Sequence, residues 1–193
     1  MKLPIFDLDG TLVDSDVALM APFTTLGVPA HAIPPMGLLL EDACARAGIT
    51  VADYLAAYDP SLVRPFPGAA ELVAKLSRWA VCSHKLRAAG DRELAMLGWA
   101  PERALFAEDF GGRGKSLDAL LADLDVAADD VVFIGDTHHD RACAVAVGAT
   151  FALAGWNPRA VAEPGDVVLD HPLEVFDLLA LPLETRDGSG PTS

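Results

Sequence analysis

Ile5-Phe6-Asp7-Leu8-Asp9-Gly10-Thr11-Leu12-Val13-Asp14-Ser15 is a short apolar run that ends in two acids spaced by one residue, with a glycine directly after them. As a buried parallel strand, this run delivers two carboxylates to the edge of a sheet, where open α/β sheets bind ligands. Successive strand side chains point to opposite faces, so Asp7 and Asp9 share one face if the strand continues through 3–8. Gly10 lets the chain turn just past them. Two neighbouring carboxylates repel unless a cation or a proton sits between them. The pattern asks for a hard metal ion, acid/base chemistry, or both.

Three readings compete for this segment. An EF-hand loop fails, because its sixth position would be Leu12 instead of glycine and its twelfth Ala18 instead of glutamate. An exposed turn whose acids do nothing remains open for an isolated DxDG. A magnesium phosphotransferase site is the third, and it gains from the rest of the chain. Val131-Val132-Phe133-Ile134-Gly135-Asp136-Thr137-His138-His139-Asp140 again runs from apolar, β-branched residues into an acid. Asp136 and Asp140 share a helical face if the turn is helical from Asp136; the plain alternative is Asp136 as a helix N-cap.

Two weaker signals lie between. Ala80-Val81-Cys82-Ser83 is an apolar run ending in a hydroxyl. Gly111-Gly112-Arg113-Gly114-Lys115-Ser116 precedes a helical pattern, but it is not a P-loop: the first glycine of that motif falls at Asp109, and no apolar strand leads into it.

In this order along the chain, the acid-x-acid-Gly-Thr motif, Ser83 after a strand, Lys115 at a helix start and Gly135-Asp136-x-x-x-Asp140 resemble the haloacid dehalogenase-like hydrolase superfamily. The resemblance runs from about Leu3 to Leu153. Phe66-Pro67-Gly68 looks like the return from cap to core in phosphoglycolate-phosphatase-like members. His84 stands where asparagine is frequent, His138-His139 is an unusual filling of the last motif, and Pro4 lies inside the first strand.

Strand-like runs at 3–8, 79–82, 104–107, 131–134, 150–153 and 167–169 alternate with helical patterns at 69–78, 91–97, 116–124 and 141–147. This alternation predicts a doubly wound parallel sheet, an α/β fold. The resemblance implies that the runs at 3 and 131 are neighbours, which brings Asp7, Asp9, Asp136 and Asp140 together. Residues 14–64 break the alternation: helices are expected at 16–26, 37–47 and 51–58, no strand is evident, and a proline-rich link spans 29–35. The resemblance makes this insertion a small helical cap between core segments 1–13 and 65–183, hinged near 14–16 and 64–67. The insertion has few cations: Asp14, Asp16, Glu41, Asp42, Asp53 and Asp59 stand against Arg46 and Arg64. Leu38, Leu39, Leu40, Tyr54 and Leu55 are expected to form cap core. A polar tail is expected at 184–193.

The resemblance implies an Mg2+-dependent phosphatase acting on a small phosphorylated metabolite. Asp7 would be nucleophile and metal ligand, Asp136 a second carboxylate ligand, and the backbone carbonyl of Asp9 a third. Asp9 would be general acid and base, with a neighbouring cation tuning it. Ser83, with the next backbone N–H, would hold phosphoryl oxygens; His84 has two readings, a place in the phosphate pocket or on the surface. Lys115 would offset charge on Asp7, with Thr11 and Asp140 bracing the loop, the lysine or metal-bound water. Lys85 has two readings, a substrate contact or a solvated lysine. His138 and His139 are poor joint chelators, since neighbours on a helix diverge by about 100°. His31 and His171 receive no role.

Three other functions fit these residues less well. A phosphomutase of the same superfamily needs cations for a second phosphate, which the insertion scarcely offers. A dehalogenase has no use for an acid at Asp9. A non-catalytic binding module would be expected to lack one of Asp7, Asp9, Lys115 or Asp136. A formal net charge of −14 disfavours nucleic acid. No apolar run reaches the length of a membrane span. Cys44, Cys82 and Cys143 are widely spaced, without CxxC pairs, which excludes a zinc site or disulfide framework of the usual spacing. A cytoplasmic protein without a secretory leader is expected, and no protein partner is implied.

Overall fold

A computed structural model describes residues 2–36 and 38–180. Its strands in chain order are Leu3–Phe6 (β1), Val13–Asp14 (β2), Arg64–Pro65 (β3), Ala80–Cys82 (β4), Arg103–Leu105 (β5), Val131–Gly135 (β6), Thr150–Ala154 (β7) and Val167–Leu169 (β8). Its α-helices are Asp16–Thr25 (α1), Leu40–Ala47 (α2), Val51–Ala57 (α3), Ala69–Lys75 (α4), Arg87–Leu97 (α5), Asp118–Leu124 (α6), His138–Val147 (α7) and Val175–Ala180 (α8). Six strands form one parallel sheet in the order β5-β4-β1-β6-β7-β8.

The period-two pattern explains why both faces are covered. Leu3, Ile5, Ala80, Cys82, Val131 and Phe133 pack on one face, with Leu117, Leu120 and Ala144 of the α6 and α7 layer. Phe6, Val81, Val132 and Ile134 face the other way, against Leu72, Leu94 and Val175 from α4, α5 and α8. The expected α/β architecture is therefore present. Pro4 is tolerated in central β1 because pairing with β4 begins one residue later, at Ile5.

The strand order places three C-terminal ends side by side. Phe6 pairs with Ile134 and with Val81, so Asp7, Asp136 and Ser83 emerge at one sheet edge. The Asp7 N–H donates to the Ile134 carbonyl at 2.9 Å, fixing the first acid beside β6.

Several boundaries differ from the sequence expectation. β1 ends at Phe6; the chain then folds into a tight loop in which the N–H groups of Leu12 and Val13 both donate to Leu8 O at 3.0 Å. Asp7 and Asp9 thus do not lie on one continuous pleat. α4 stops at Lys75, and Trp79 instead packs edge-on against Phe6. α5 starts at Arg87, because Ala88, Ala89 and Gly90 give no apolar periodicity although they are helical. α7 starts at His138, so Asp136 lies outside it.

The insertion is helical, and a pair of two-residue strands at its two ends was not evident from sequence. Val13 pairs with Pro65 and Asp14 with Arg64, so its two connections run antiparallel beside each other. α1 and α3 are joined by the Tyr54 hydroxyl, which donates to Leu19 O at 2.8 Å, and by the Phe23–Tyr54 ring contact. Thr50 caps α3 by accepting from the Asp53 N–H. α2 begins at Leu40 instead of position 37, which lies outside the described residues, as does the tail at 184–193.

Candidate active site

Lys115 is the centre of a buried charge network. Its Nζ lies 2.8 Å from Asp7 Oδ1 and 2.6 Å from Asp140 Oδ1. Burial opposes its charge, but Asp140 and Asp7 outweigh that and hold the ammonium well above its ordinary pKa. Asp140 is the third residue of α7 and closes a capping box: its Oδ2 accepts from the Thr137 N–H at 3.0 Å and hydroxyl at 2.6 Å. Thr137, not Asp136, is the N-cap. Burial works against the Asp140 carboxylate too, but Lys115 and Thr137 hold its pKa below the usual range. Asp140 is thus held by Thr137 and hydrogen-bonded to Lys115. The glycine before Asp136 has a packing reason: a Cβ on Gly135 would stand 2.3 Å from Asp140 Cβ.

Asp136 is released from capping and turned toward Asp7. Its Oδ2 accepts from Asn157 Nδ2 at 2.9 Å and its Oδ1 from Thr11 Oγ1 at 3.3 Å. Asn157 also donates to Gly10 O, binding the first loop to the last. Gly10 has φ +80°, and an added Cβ would fall 2.4 Å from Asp136 Oδ2. Asn157 escaped the sequence reading because a lone amide after a strand carries no signal.

Oxygens of Asp7, Asp136 and Asp140 all approach within 4.8 Å of one another. Burial pushes the Asp7 carboxyl up to about 6, with Lys115 opposing and Asp140 adding. Burial, then the charges of Asp7 and Asp140, push Asp136 up to about 7. Asp140 is occupied by Lys115 and Thr137. Asp7 and Asp136 remain as two hard, crowded oxygen donors, a set that suits a hard dication. The Asp9 carboxylate is not in this cluster.

The Asp9 carboxylate belongs to a second network. Lys85 Nζ lies 2.7 Å from Asp9 Oδ1 and also pairs with Glu93 of α5, which is fully buried. The Tyr58 hydroxyl, from the end of the insertion, donates to Glu93 as well. Lys85 is therefore a buried partner of Asp9, not a solvated lysine. Burial acts against its charge, and Asp9 with Glu93 more than restores it. It is the cation that stands beside Asp9. Glu93 and Tyr58 were not anticipated, since a buried acid within a helix looks like a surface acid in sequence.

Ser83 is buried at the end of β4, its N–H donating to Leu105 O at 3.0 Å. His84 is exposed, packs edge-on against Phe110, and is pushed below its ordinary pKa by partial burial and by Lys115. Both line one cavity of about 1170 Å³, together with Asp7, Asp9, Lys115 and Asp136. His138 and His139 also line it, their ring centroids 3.9 Å apart. One expectation needs correction. Leu38, Leu39, Leu40, Tyr54 and Leu55 are not simply cap core: all five line this cavity. Helical spacing alone does not distinguish a face packed on a neighbour from a face turned to a cleft.

A family profile described as haloacid dehalogenase-like hydrolase matches residues 4–154, which span every residue of the Asp7–Lys115–Asp136 cluster. The chain belongs to the haloacid dehalogenase-like hydrolases. It is 30% identical to a phosphoglycolate phosphatase of Rhodospirillum rubrum, over 99% of this chain and 96% of that protein. It is 27% identical to an N-acetylmuramic acid 6-phosphate phosphatase of Pseudomonas aeruginosa, over 93% and 95%. Among solved structures, a haloacid dehalogenase-like protein of Streptococcus pneumoniae superposes with a TM-score of 0.71 at 22% identity, over 92% of this chain and 98% of that one. This last likeness bears on the fold of the hydrolase alone. Among the described residues of this hydrolase, no helix is long and apolar enough to cross a membrane.

Proposed function

We propose that this hydrolase is a magnesium-dependent phosphatase that cleaves small phosphate monoesters through an aspartyl-phosphate on Asp7. The carrying observation is the pairing of two distinct acid environments: Asp7 crowded against Asp136 and Lys115, and Asp9 held apart by Lys85. The relatives named above, both phosphatases of small monoesters by their names, support the same class.

A phosphate monoester repels nucleophiles, so a site must neutralise it and align the attacker in line with the leaving oxygen. Magnesium held by the Asp7 and Asp136 carboxylates and the Asp9 carbonyl would supply that neutralisation. An Asp7 oxygen forms a bond to phosphorus as the ester P–O bond breaks. The departing alkoxide takes the proton of the Asp9 carboxyl. Asp9, now ionised, takes a proton from water, whose oxygen attacks phosphorus; inorganic phosphate leaves and Asp7 is restored. Lys115 holds charge beside Asp7, Asp140 aims Lys115, and Ser83 receives phosphoryl oxygens. His84 lines the same pocket.

Residues 14–64 act in this reading as a lid that closes over the site and excludes water. The paired connections β2 and β3 would be its hinge, and Tyr58–Glu93–Lys85 its contact with the acid/base. The mutase alternative is less well supported, because the insertion offers two arginines and neither lines the cavity. Three unpaired cysteines favour a reducing compartment such as the cytoplasm. The test is a phosphate-release screen of small phosphorylated metabolites with magnesium and with EDTA after dialysis. Release that depends on magnesium supports the reading; equal turnover in EDTA contradicts it.

A further inference from the structure

The cavity is built asymmetrically. Apart from Asp16, which pairs with Arg159, the charged groups come from the core side. The opposite wall comes from the insertion and is predominantly apolar: Leu19, Met20, Phe23, Leu39, Leu40 and Leu55. Leu39 remains 51% exposed, apolar area that a ligand would cover. Three lysine or arginine side chains line the cavity among the described residues, and each already has carboxylate partners. Lys115 pairs with Asp7 and Asp140, Lys85 with Asp9 and Glu93, and Arg159 with Asp16.

We propose that the leaving alcohol of the substrate is uncharged and predominantly apolar, seated against this insertion wall while the phosphoryl group sits at Asp7. This names the substrate class of the phosphatase reading and rests on it. The reasoning is a comparison of two leaving groups in one place. An apolar alcohol gains by covering leucine and phenylalanine surface. An alcohol bearing a carboxylate, as in phosphoglycolate, loses hydration there and meets no unpaired lysine or arginine among those that line the cavity. A cavity of about 1170 Å³ also exceeds the usual range of small-molecule sites, leaving room beyond the phosphoryl group.

The experiment compares kcat/KM, with magnesium, for methyl phosphate, n-hexyl phosphate and the 6-carboxylated ester 6-phosphooxyhexanoate. These are all primary or methyl alkyl esters, so leaving-group reactivity is nearly constant. The expected result is a rise of about twofold to fourfold for each added methylene that is buried. The terminal carboxylate should lower kcat/KM by about tenfold or more against hexyl phosphate. Leu39→Lys, at a half-exposed position, should shift the hexanoate-to-hexyl ratio toward the carboxylate by about tenfold. Equal rates for methyl and hexyl esters, or a preference for the carboxylate in the unmodified enzyme, would overturn the substrate class while leaving the phosphatase reading intact. No phosphate release from any of the three would overturn both.

Discussion

Lys85 Nζ stands 2.7 Å from Asp9 Oδ1 in a position where the lysine side chain is 3% exposed. A buried ammonium of this kind persists because it answers two carboxylates, Asp9 on the loop after β1 and Glu93 on α5. It holds Asp9 apart from the Asp7–Asp136–Asp140 cluster.

Removing that ammonium should expose the cost of the network. Lys85→Met leaves Glu93 buried without its cation, and breaking such a pair costs about 3–5 kcal/mol. Urea unfolding should register that loss, and the double variant Lys85→Met with Glu93→Gln should recover part of it. A single-variant loss below about 1 kcal/mol would show the pair to be solvated.

Asp9→Asn should lower kcat by about 10²–10⁴-fold, the usual worth of general acid/base catalysis. The loss should be smaller with p-nitrophenyl phosphate than with an alkyl phosphate, because nitrophenolate leaves without a proton. Equal losses on both would separate Asp9 from leaving-group protonation.

Magnesium binding should be strongly pH-dependent. Asp7 and Asp136 are pushed up to about 6 and about 7 by burial. A raised carboxyl means that the folded state holds its proton more tightly than the unfolded chain. The metal-free protein therefore loses stability as pH rises from about 4 through 7, then levels off. Glu93, also raised by burial, adds the same sign. Asp140 is lowered, so its contribution disappears only in more acidic solution. Magnesium competes with those protons, so its Tm increment over EDTA should be small at pH 5 and grow through pH 7. An equal increment at pH 5 and pH 8 would contradict the two-carboxylate site.

Gly10→Ala should impair both fold and site. Its left-handed backbone disfavours any Cβ by roughly 1–2 kcal/mol, and here the methyl would collide with Asp136 Oδ2. The expected outcome is a lowered unfolding midpoint with magnesium affinity reduced beyond what stability explains. Unchanged affinity would place Asp136 outside the metal site.

The legible part of this molecule was the part with pattern. β1 and β6 are apolar runs that end in acids, and the alternation of such runs with helical patterns pointed to a parallel sheet. Lys115 was legible through its order after Ser83, not through any local property. The illegible part has physical causes. β2 and β3 are two residues each, too short for periodicity. Glu93 and Lys85 look like surface charges until the fold buries them together. Asn157 comes to Asp136 only through the loop after β7. Leu38 to Leu40 looked like packing because sequence does not reveal what an apolar face meets.

The most direct test of the account is to locate the covalent intermediate. Enzyme mixed with ³²P-labelled monoester and magnesium is quenched in acid within the first turnover, reduced with borohydride and mapped by mass spectrometry. Label on the protein and a reduced side chain at position 7 are expected, and with p-nitrophenyl phosphate, whose leaving group needs no proton, more label in Asp9→Asn. Phosphate release with no protein-bound label at any time, or label on Ser83 instead of Asp7, would contradict it.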